Sequence, residues 1–507
     1  MLNIKKRGLL ASAGALVTAV ALAFGGAAAA QAAPVDTMPE TSGLVITKLE
    51  QPAENGAAAT GLEQTGLTAK AIEGVTFEAY KVPLTKNPMS NEGQQEIAGT
   101  TLAAAKAAVA SKSADRTGIT DAAGVVRWEG AQALDAGLWL VRETNTPAGV
   151  VAAGDFLVAA PLTHPTNLNT WLDTIYVYPK NHTVLGQKTV ENAADLKVGD
   201  TVTWTITVDN PSPRDNATGA YIATDKLQIV DVLDDAFLKT AADGSGVKVT
   251  APAGLAFGDD YTVNVAAAGG KSTVTIDFTA KGLAKVAAAA TADVVLTLDT
   301  VVTQPGEIKN VAHFYSSKSQ TEPKEIPGTE VKYGNYALIK KSEGAPEGKT
   351  ANLAGAEFMV FASAADARAA VNGDVDALAK ALKPAAGSHT DGVWTTNADG
   401  RVDITGVRYS NFADGKEIAK GQPGYQSYWL VETKALQDHQ LLAEPVEFVV
   451  TKESATQTTQ TIVNQYDRGG FVLPLTGGTG TIMLTVAGIA LLAVVLIVAR
   501  RRQNAAE

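Results

Sequence analysis

From residue 43 onward the chain is written in short alternations of apolar and polar residues, the period-two pattern of half-buried strands. Gly43-Leu-Val-Ile-Thr-Lys48 opens the series. Gly74 to Val82, Val125 to Trp128, Leu138 to Glu143, Phe156 to Pro161 and Thr174 to Tyr178 continue it. Asp121-Ala-Ala-Gly124 reads as a turn, and the Ala-rich run Thr101 to Lys112 as a short helix. A second group follows with Thr201 to Val208, Leu227 to Leu233, Ser272 to Phe278, Asp293 to Leu298 and Lys309 to Tyr315. Short strands at regular spacing, separated by turn signals, predict β-sandwiches.

The third group repeats the first. Tyr336 to Lys340 matches the opening strand, and Gly355 to Phe361 matches Gly74 to Tyr80. Thr396 to Gly400 matches Thr120 to Gly124, and Tyr428 to Glu432 matches Trp139 to Glu143. Phe448 begins a late strand, Thr461 to Tyr466 closes the group, and the Ala- and Asp-rich residues 362–387 read as a helical insertion. Self-similarity of this kind implies duplicated domains. The expected fold is therefore all-β, with three tandem immunoglobulin-like β-sandwich domains at 33–182, 183–331 and 332–467.

The two ends carry a different pattern. Lys5, Lys6 and Arg7 precede an apolar run from Leu9 to Phe24 and the small-residue site Ala30-Gln31-Ala32. This is a secretory signal peptide over 1–32, with Ala33 as the expected mature start. At the other end, within 468–507, Leu473-Pro474-Leu475-Thr476-Gly477 precedes an apolar run at 482–499 and then Arg500, Arg501 and Arg502. The run is about long enough to span a bilayer, and the arginines hold its end on the cytoplasmic side. By itself this describes a C-terminal membrane anchor with the pentapeptide just outside it.

Composition narrows the function. The 507 residues have room for about three domains. The formal charge is −11, and the segment between signal and basic tail holds 36 basic against 52 acidic residues. Such a surface does not suit nucleic acid or anionic lipid. There is no cysteine, so a secreted chain that could use disulfides is held in some other way. The five histidines His164, His182, His313, His389 and His439 are scattered, and no metal site or cofactor is expected. Nucleophile-elbow, zinc-protease and phosphate-loop patterns are absent. The paired acids Asp234-Asp235 and Asp259-Asp260 read as solvated turns, so an enzyme is not expected.

Two constellations carry chemistry. Tyr176-Val177-Tyr178-Pro179-Lys180-Asn181 ends the first group, with Tyr176 and Tyr178 on one strand face. Pro179 stops ladder pairing there, which places Lys180 outward, exposed and able to act as a nucleophile once deprotonated. The second constellation occurs three times. Lys48, Lys188 and Lys340 lie near the three domain starts, and Asn181, Asn310 and Asn464 near their ends. Glu143, Asp231 and Glu432 lie between them on apolar strands, where a carboxylate is costly to bury unless paired. Lys341 is an alternative to Lys340, which period two places on the face of Tyr336 and Leu338. A buried lysine becomes a neutral amine, and a buried carboxyl can hold and shuttle a proton. Such a trio can form an amide with loss of ammonia, or it can remain a salt bridge.

Signal peptide, acceptor-type lysine, the carboxylate of the Trp-Leu-Val strand and the C-terminal pentapeptide together resemble the shaft pilins of Gram-positive bacteria, most closely those of actinomycete-type fimbriae. The resemblance spans the whole chain. It implies that a sortase attacks Thr476, releases Gly477 and passes the acyl group to Lys180 of another subunit. It also implies intramolecular isopeptide bonds Lys48–Asn181 with Glu143, Lys188–Asn310 with Asp231, and Lys340–Asn464 with Glu432, the outer domains being of the collagen-adhesin B type. The expected partners are other copies of the chain, a pilus-specific sortase, accessory tip and base pilins, and peptidoglycan. The alternative is a monomeric wall-anchored adhesin that binds a host protein or glycan. The third domain departs from the pattern in having Leu436, not proline, after Glu432-Thr-Lys-Ala435.

Overall fold

The computed structural model describes residues 38–52, 59–168, 170–215, 218–289, 291–346, 352–383, 391–455 and 458–467. The signal peptide, Leu473 to Gly477, the 482–499 run and Arg500 to Arg502 lie outside the described residues. Those described form two compact units. One comprises 38–195, 200–332 and 413–416, the other 196–199, 333–412 and 417–467.

The sheets of the first unit fall into two sets. In the first set, Arg116–Ile119, Thr76–Lys81, Gly137–Asn145 and Phe156–Ala160 form one sheet in that order. Thr174–Val177, the opening strand Thr41–Thr47 and Val125–Trp128 form the other. Leu44, Ile46, Phe77, Val126, Trp128, Trp139, Val141 and Ile175 are among the side chains of the core they share. The opening strand runs parallel to Thr174–Val177, with Leu44 opposite Ile175. Strand Gly137–Asn145 is buried on both faces. Trp139 and Val141 enter the sandwich, while Leu138 and Leu140 meet the helices Asn91–Gly99 and Leu102–Ala108 through Ile97, Leu102 and Ala105. Thr101 caps the second helix, which is shorter than the run expected from Thr101 to Lys112. The first helix was not expected, because its Gly93 and Gly99 and its polar residues weaken the helical signal.

In the second set, Gly186–Glu191, Thr201–Val208 and Val294–Val302 make the spine of one sheet. Tyr261–Ala268, Lys271–Phe278, Gln228–Asp234 and Gly306–Tyr315 make the other. The described strands within them pair antiparallel, and alternate residues such as Val202, Trp204 and Ile206 are buried.

The second unit repeats the first set. Its opening segment, residues 333–343 of strand Lys324–Glu343, pairs antiparallel with Arg401–Arg408 and parallel with Thr458–Gln465. Glu357–Phe361, Tyr428–Lys434 and Val446–Phe448 form the facing sheet. Tyr336, Leu338, Phe358, Tyr428, Leu430 and Ile462 fill the core between them. The outer face of Tyr428–Lys434 is covered by helices Ala364–Val371 and Val375–Leu378, where Ala367, Ala370 and Ala377 meet Val431. The helical insertion expected at 362–387 is thus two short helices, with 384–390 outside the described residues.

Candidate functional site: three buried lysine–carboxylate–asparagine trios

Strand parity sends the charged residues inward. Lys48 follows Leu44 and Ile46 by twos, and Glu143 follows Trp139 and Val141. Lys340 follows Tyr336 and Leu338, Glu432 follows Tyr428 and Leu430, and Asn464 follows Ile462. In the middle trio, Lys188 shares a face with Val190, Asp231 with Ile229 and Leu233, and Asn310 with Ile308 and Ala312. All nine side chains are buried, and Lys48, Asp231 and Lys340 are 0 % exposed. Lys341, one residue on, faces solvent.

In the first trio Glu143 is the bridge. The Lys48 amine donates to Glu143 Oε1, and Asn181 Nδ2 donates to Oε2 at 2.9 Å. The Ala153 backbone N–H also donates to Oε2, at 3.2 Å. Asn181 Oδ1 is buried and accepts no hydrogen bond. In the third trio the asparagine is held at both ends. The Lys340 amine donates to Asn464 Oδ1 and stands 3.4 Å from Glu432 Oε1. Asn464 Nδ2 donates to both Glu432 oxygens, at 2.8 and 2.9 Å. In the middle trio the Lys188 amine donates to Asp231 Oδ2, and Asn310 lies nearby without a well-aligned hydrogen bond.

Burial sets the electrostatics. Desolvation lowers the pKa of Lys48 and Lys188, against the pull of Glu143 and Asp231. The same cause lowers Lys340 to about 8, against the pull of Glu432. Asp231 is raised, again mainly by burial, with Lys188 opposing. Each ammonium also stands near an aromatic face: Phe77 at 5.8 Å, Trp204 at 5.2 Å and Phe358 at 5.5 Å from the ring centroids. These contacts favour the charged form and offset part of the desolvation. The arrangement therefore offers an amine that gives up its proton more easily than usual, beside a carboxamide and a buried carboxyl group.

Lys180 sits elsewhere than expected. The Pro179 carbonyl accepts the Leu49 N–H at 3.2 Å, and ladder pairing resumes at once. Strand Lys180–Thr183 runs parallel to Leu49–Glu50 and antiparallel to Val150–Val151. Lys180 is consequently half-buried, not exposed, because proline removes only a donor and leaves its carbonyl to pair. Its amine makes no hydrogen bond or ion pair with any described residue. Tyr178, one step before Pro179, accepts the Gln64 N–H at 2.6 Å through its hydroxyl.

Sequence reasoning found the turn at 121–124 and its counterpart at 396–400, but not that they hold the lysine backbones. The Lys48 N–H donates to Gly124 O and the Lys340 N–H to Gly400 O, both at 2.7 Å. The repeated Thr-x-x-x-Gly spacing at 120–124 and 396–400 carried the signal.

This fold, a Gram-positive pilin architecture with a prealbumin-like domain, defines the class. Residues 39–182 match the family described as Gram-positive pilin subunit D1, N-terminal domain. Residues 334–465 match the prealbumin-like fold domain, and 469–505 the LPXTG cell wall anchor motif. Over 99 % of its length the chain is 31 % identical to fimbrial subunit type 1 of Actinomyces viscosus, 99 % of which is covered, and it belongs to this family of fimbrial subunits. Fimbrial subunit type 2 of Actinomyces naeslundii is 26 % identical, with 89 % of this chain and 84 % of that one covered. The full-length major pilin SpaD of Corynebacterium diphtheriae aligns with a TM-score of 0.58 at 25 % identity, covering 85 % of this chain and 98 % of that one. The chain is thus a structural subunit of a cell-wall-anchored surface fimbria.

Proposed function

We propose that this chain is the repeated shaft subunit of a covalent polymer, joined by sortase between Thr476 of one copy and Lys180 of the next and finally transferred to peptidoglycan. Three domains, at 33–182, 183–331 and 332–467, each close one internal isopeptide bond. The observation that carries this reading is the third trio, a desolvated lysine touching a carboxamide whose other end rests on a buried glutamate.

The internal chemistry balances without a cofactor. The neutral Lys340 amine attacks Asn464 Cγ, and a new C–N bond forms. Glu432 carries a proton from Nζ to Nδ2, the Cγ–Nδ2 bond breaks, and ammonia leaves. Packing supplies the proximity, which accounts for much of the rate. Lys48 with Asn181 and Lys188 with Asn310 follow the same course, through Glu143 and Asp231. The chain acts as a sortase substrate, and its own chemistry is confined to itself. A pilus-specific sortase and accessory tip or base pilins complete the assembly, and a host receptor or glycan would be met by the finished fimbria.

A denaturing gel of wall extracts from wild type and a Lys180→Ala strain tests the polymer. The expected result is a high-mass ladder that collapses to monomer in the variant. An unchanged ladder moves the acceptor to another lysine, and a monomer band in both strains favours the wall-anchored adhesin.

A further inference from the structure

Two turns, one in each unit, are built from the same bonds and end on the same atoms of a trio lysine. Thr120 and Thr396 are buried. The Val75 and Ala356 N–H groups donate to their hydroxyls, at 2.9 and 3.0 Å. The hydroxyls donate in turn to Ile72 O at 2.8 Å and Leu353 O at 2.6 Å. Asp121 and Asn397, the next residues, cap the turns by accepting the Val125 and Arg401 N–H groups, each at 2.9 Å. Gly124 O and Gly400 O then accept the N–H of Lys48 and Lys340. The lysine carbonyls accept the Ile72 N–H at 3.0 Å and the Leu353 N–H at 3.1 Å. Each lysine peptide is thus gripped on both sides, through a chain of bonds that closes on one threonine hydroxyl.

The glycines cannot be replaced without moving the lysine. Their φ angles are +73° and +71°. A Cβ would lie 2.4 Å from Lys48 O at Gly124 and 2.5 Å from Lys340 O at Gly400. The middle trio has no such turn on its lysine. Lys188 stands inside a regular antiparallel ladder opposite Ile206, and the ladder fixes it.

We infer that Thr120–Gly124 and Thr396–Gly400 are positioning turns for cross-link formation, setting how deeply Lys48 and Lys340 reach toward Asn181 and Asn464. This rests on the isopeptide reading above. The side chain leaves a peptide whose N–H and C=O are both fixed, so a shift of that peptide is passed directly to the amine. A misplacement of about 1 Å can cost a reaction about 100-fold in rate.

The test is time-resolved, peptide-mapped mass spectrometry of the newly secreted full-length chain, reading one ammonia lost per bond. Gly400→Ala is expected to slow the third-domain loss by about 10- to 100-fold. The middle-domain bond is expected to form on schedule in the same molecules and so to show that the effect is confined to the third domain. Gly421→Ala is the matched control: its φ is +87°, and no atom lies within 4 Å of the added Cβ. It carries the same backbone strain without touching the lysine, and its rate is expected to equal that of wild type. Thr396→Val should slow the bond and Thr396→Ser should restore it, a pair that decides the matter even if Gly400→Ala fails to fold. Equal rates for Gly400→Ala and Gly421→Ala, or a Thr396→Ser as slow as Thr396→Val, would overturn the inference. A wild-type third domain that retains its ammonia would instead remove the isopeptide reading beneath it, and the inference with it.

Discussion

The first and third trios stand on one scaffold and are wired differently. In both, a parallel pair of opening and closing segments brings lysine and asparagine together, and a two-faced strand delivers the glutamate. Around Glu143 the acid holds both partners, and the asparagine oxygen is left bare. Around Glu432 the lysine rests on the asparagine itself, so the amine and the carbonyl it would attack are already in contact. Shared topology fixes which residues meet, and local packing decides which atoms touch. The two sites should therefore respond differently to the same substitution.

The largest effect is expected for Glu143→Ala. It would prevent the proposed Lys48–Asn181 cross-link and leave Lys48 buried without a partner, a penalty of about 3–5 kcal/mol. Glu432→Ala would also prevent the proposed Lys340–Asn464 cross-link, which would span 124 residues and by loop-closure entropy stabilise by about 5 kcal/mol. Lys340 keeps its contact with Asn464 Oδ1, however, so the additional loss is smaller. Denaturant midpoints of the two variants, with intact mass to count ammonia, check this. Equal losses would mean that the different wiring has no energetic consequence.

The next effect is kinetic. A lysine with its pKa lowered to about 8 is protonated below that pH and neutral above it. Third-domain bond formation in freshly made chains should rise about tenfold per pH unit below 8 and level off above it. A rate that kept climbing to pH 10 would mean that burial does not lower the pKa of the attacking amine. The smallest effect is expected for Lys341→Ala. Its side chain is exposed on the opposite strand face, so the bond should form unchanged and stability shift by less than about 0.5 kcal/mol. A missing bond in that variant would transfer the role from Lys340.

Most of this was legible because strand parity is a strong constraint. Leu44, Ile46 and Lys48 share a face by period two alone, and so do Tyr428, Leu430 and Glu432. The choice of Lys340 over Lys341 rested on the same parity, and the structure puts Lys340 inside and Lys341 outside. What was hidden depended on contacts between distant segments. Nothing local in Thr120 or Thr396 says that its hydroxyl will meet the carbonyl of residue 72 or 353. Lys180 was placed outside the ladder because proline was read as an interruption. The parallel partner at Leu49 lies more than a hundred residues away, and it restores pairing through a carbonyl that proline still possesses.

The neighbouring positions of Lys180 and Asn181 on one short strand have a mechanical consequence. If tension enters a subunit at Lys180 and leaves at Thr476, the force path runs forward through residues 180–476 only. The proposed middle and third domains would then be in series, and lysine–asparagine ties in them would short-circuit the strands between, leaving those strands almost none of the pull. Residues 38–179 hang from the path as a side branch. A tie between Lys48 and Asn181 would bear no traction along the fibre. Its effect would be to clamp the branch at its root, so that the point where one subunit hauls on the next cannot peel away from its own domain.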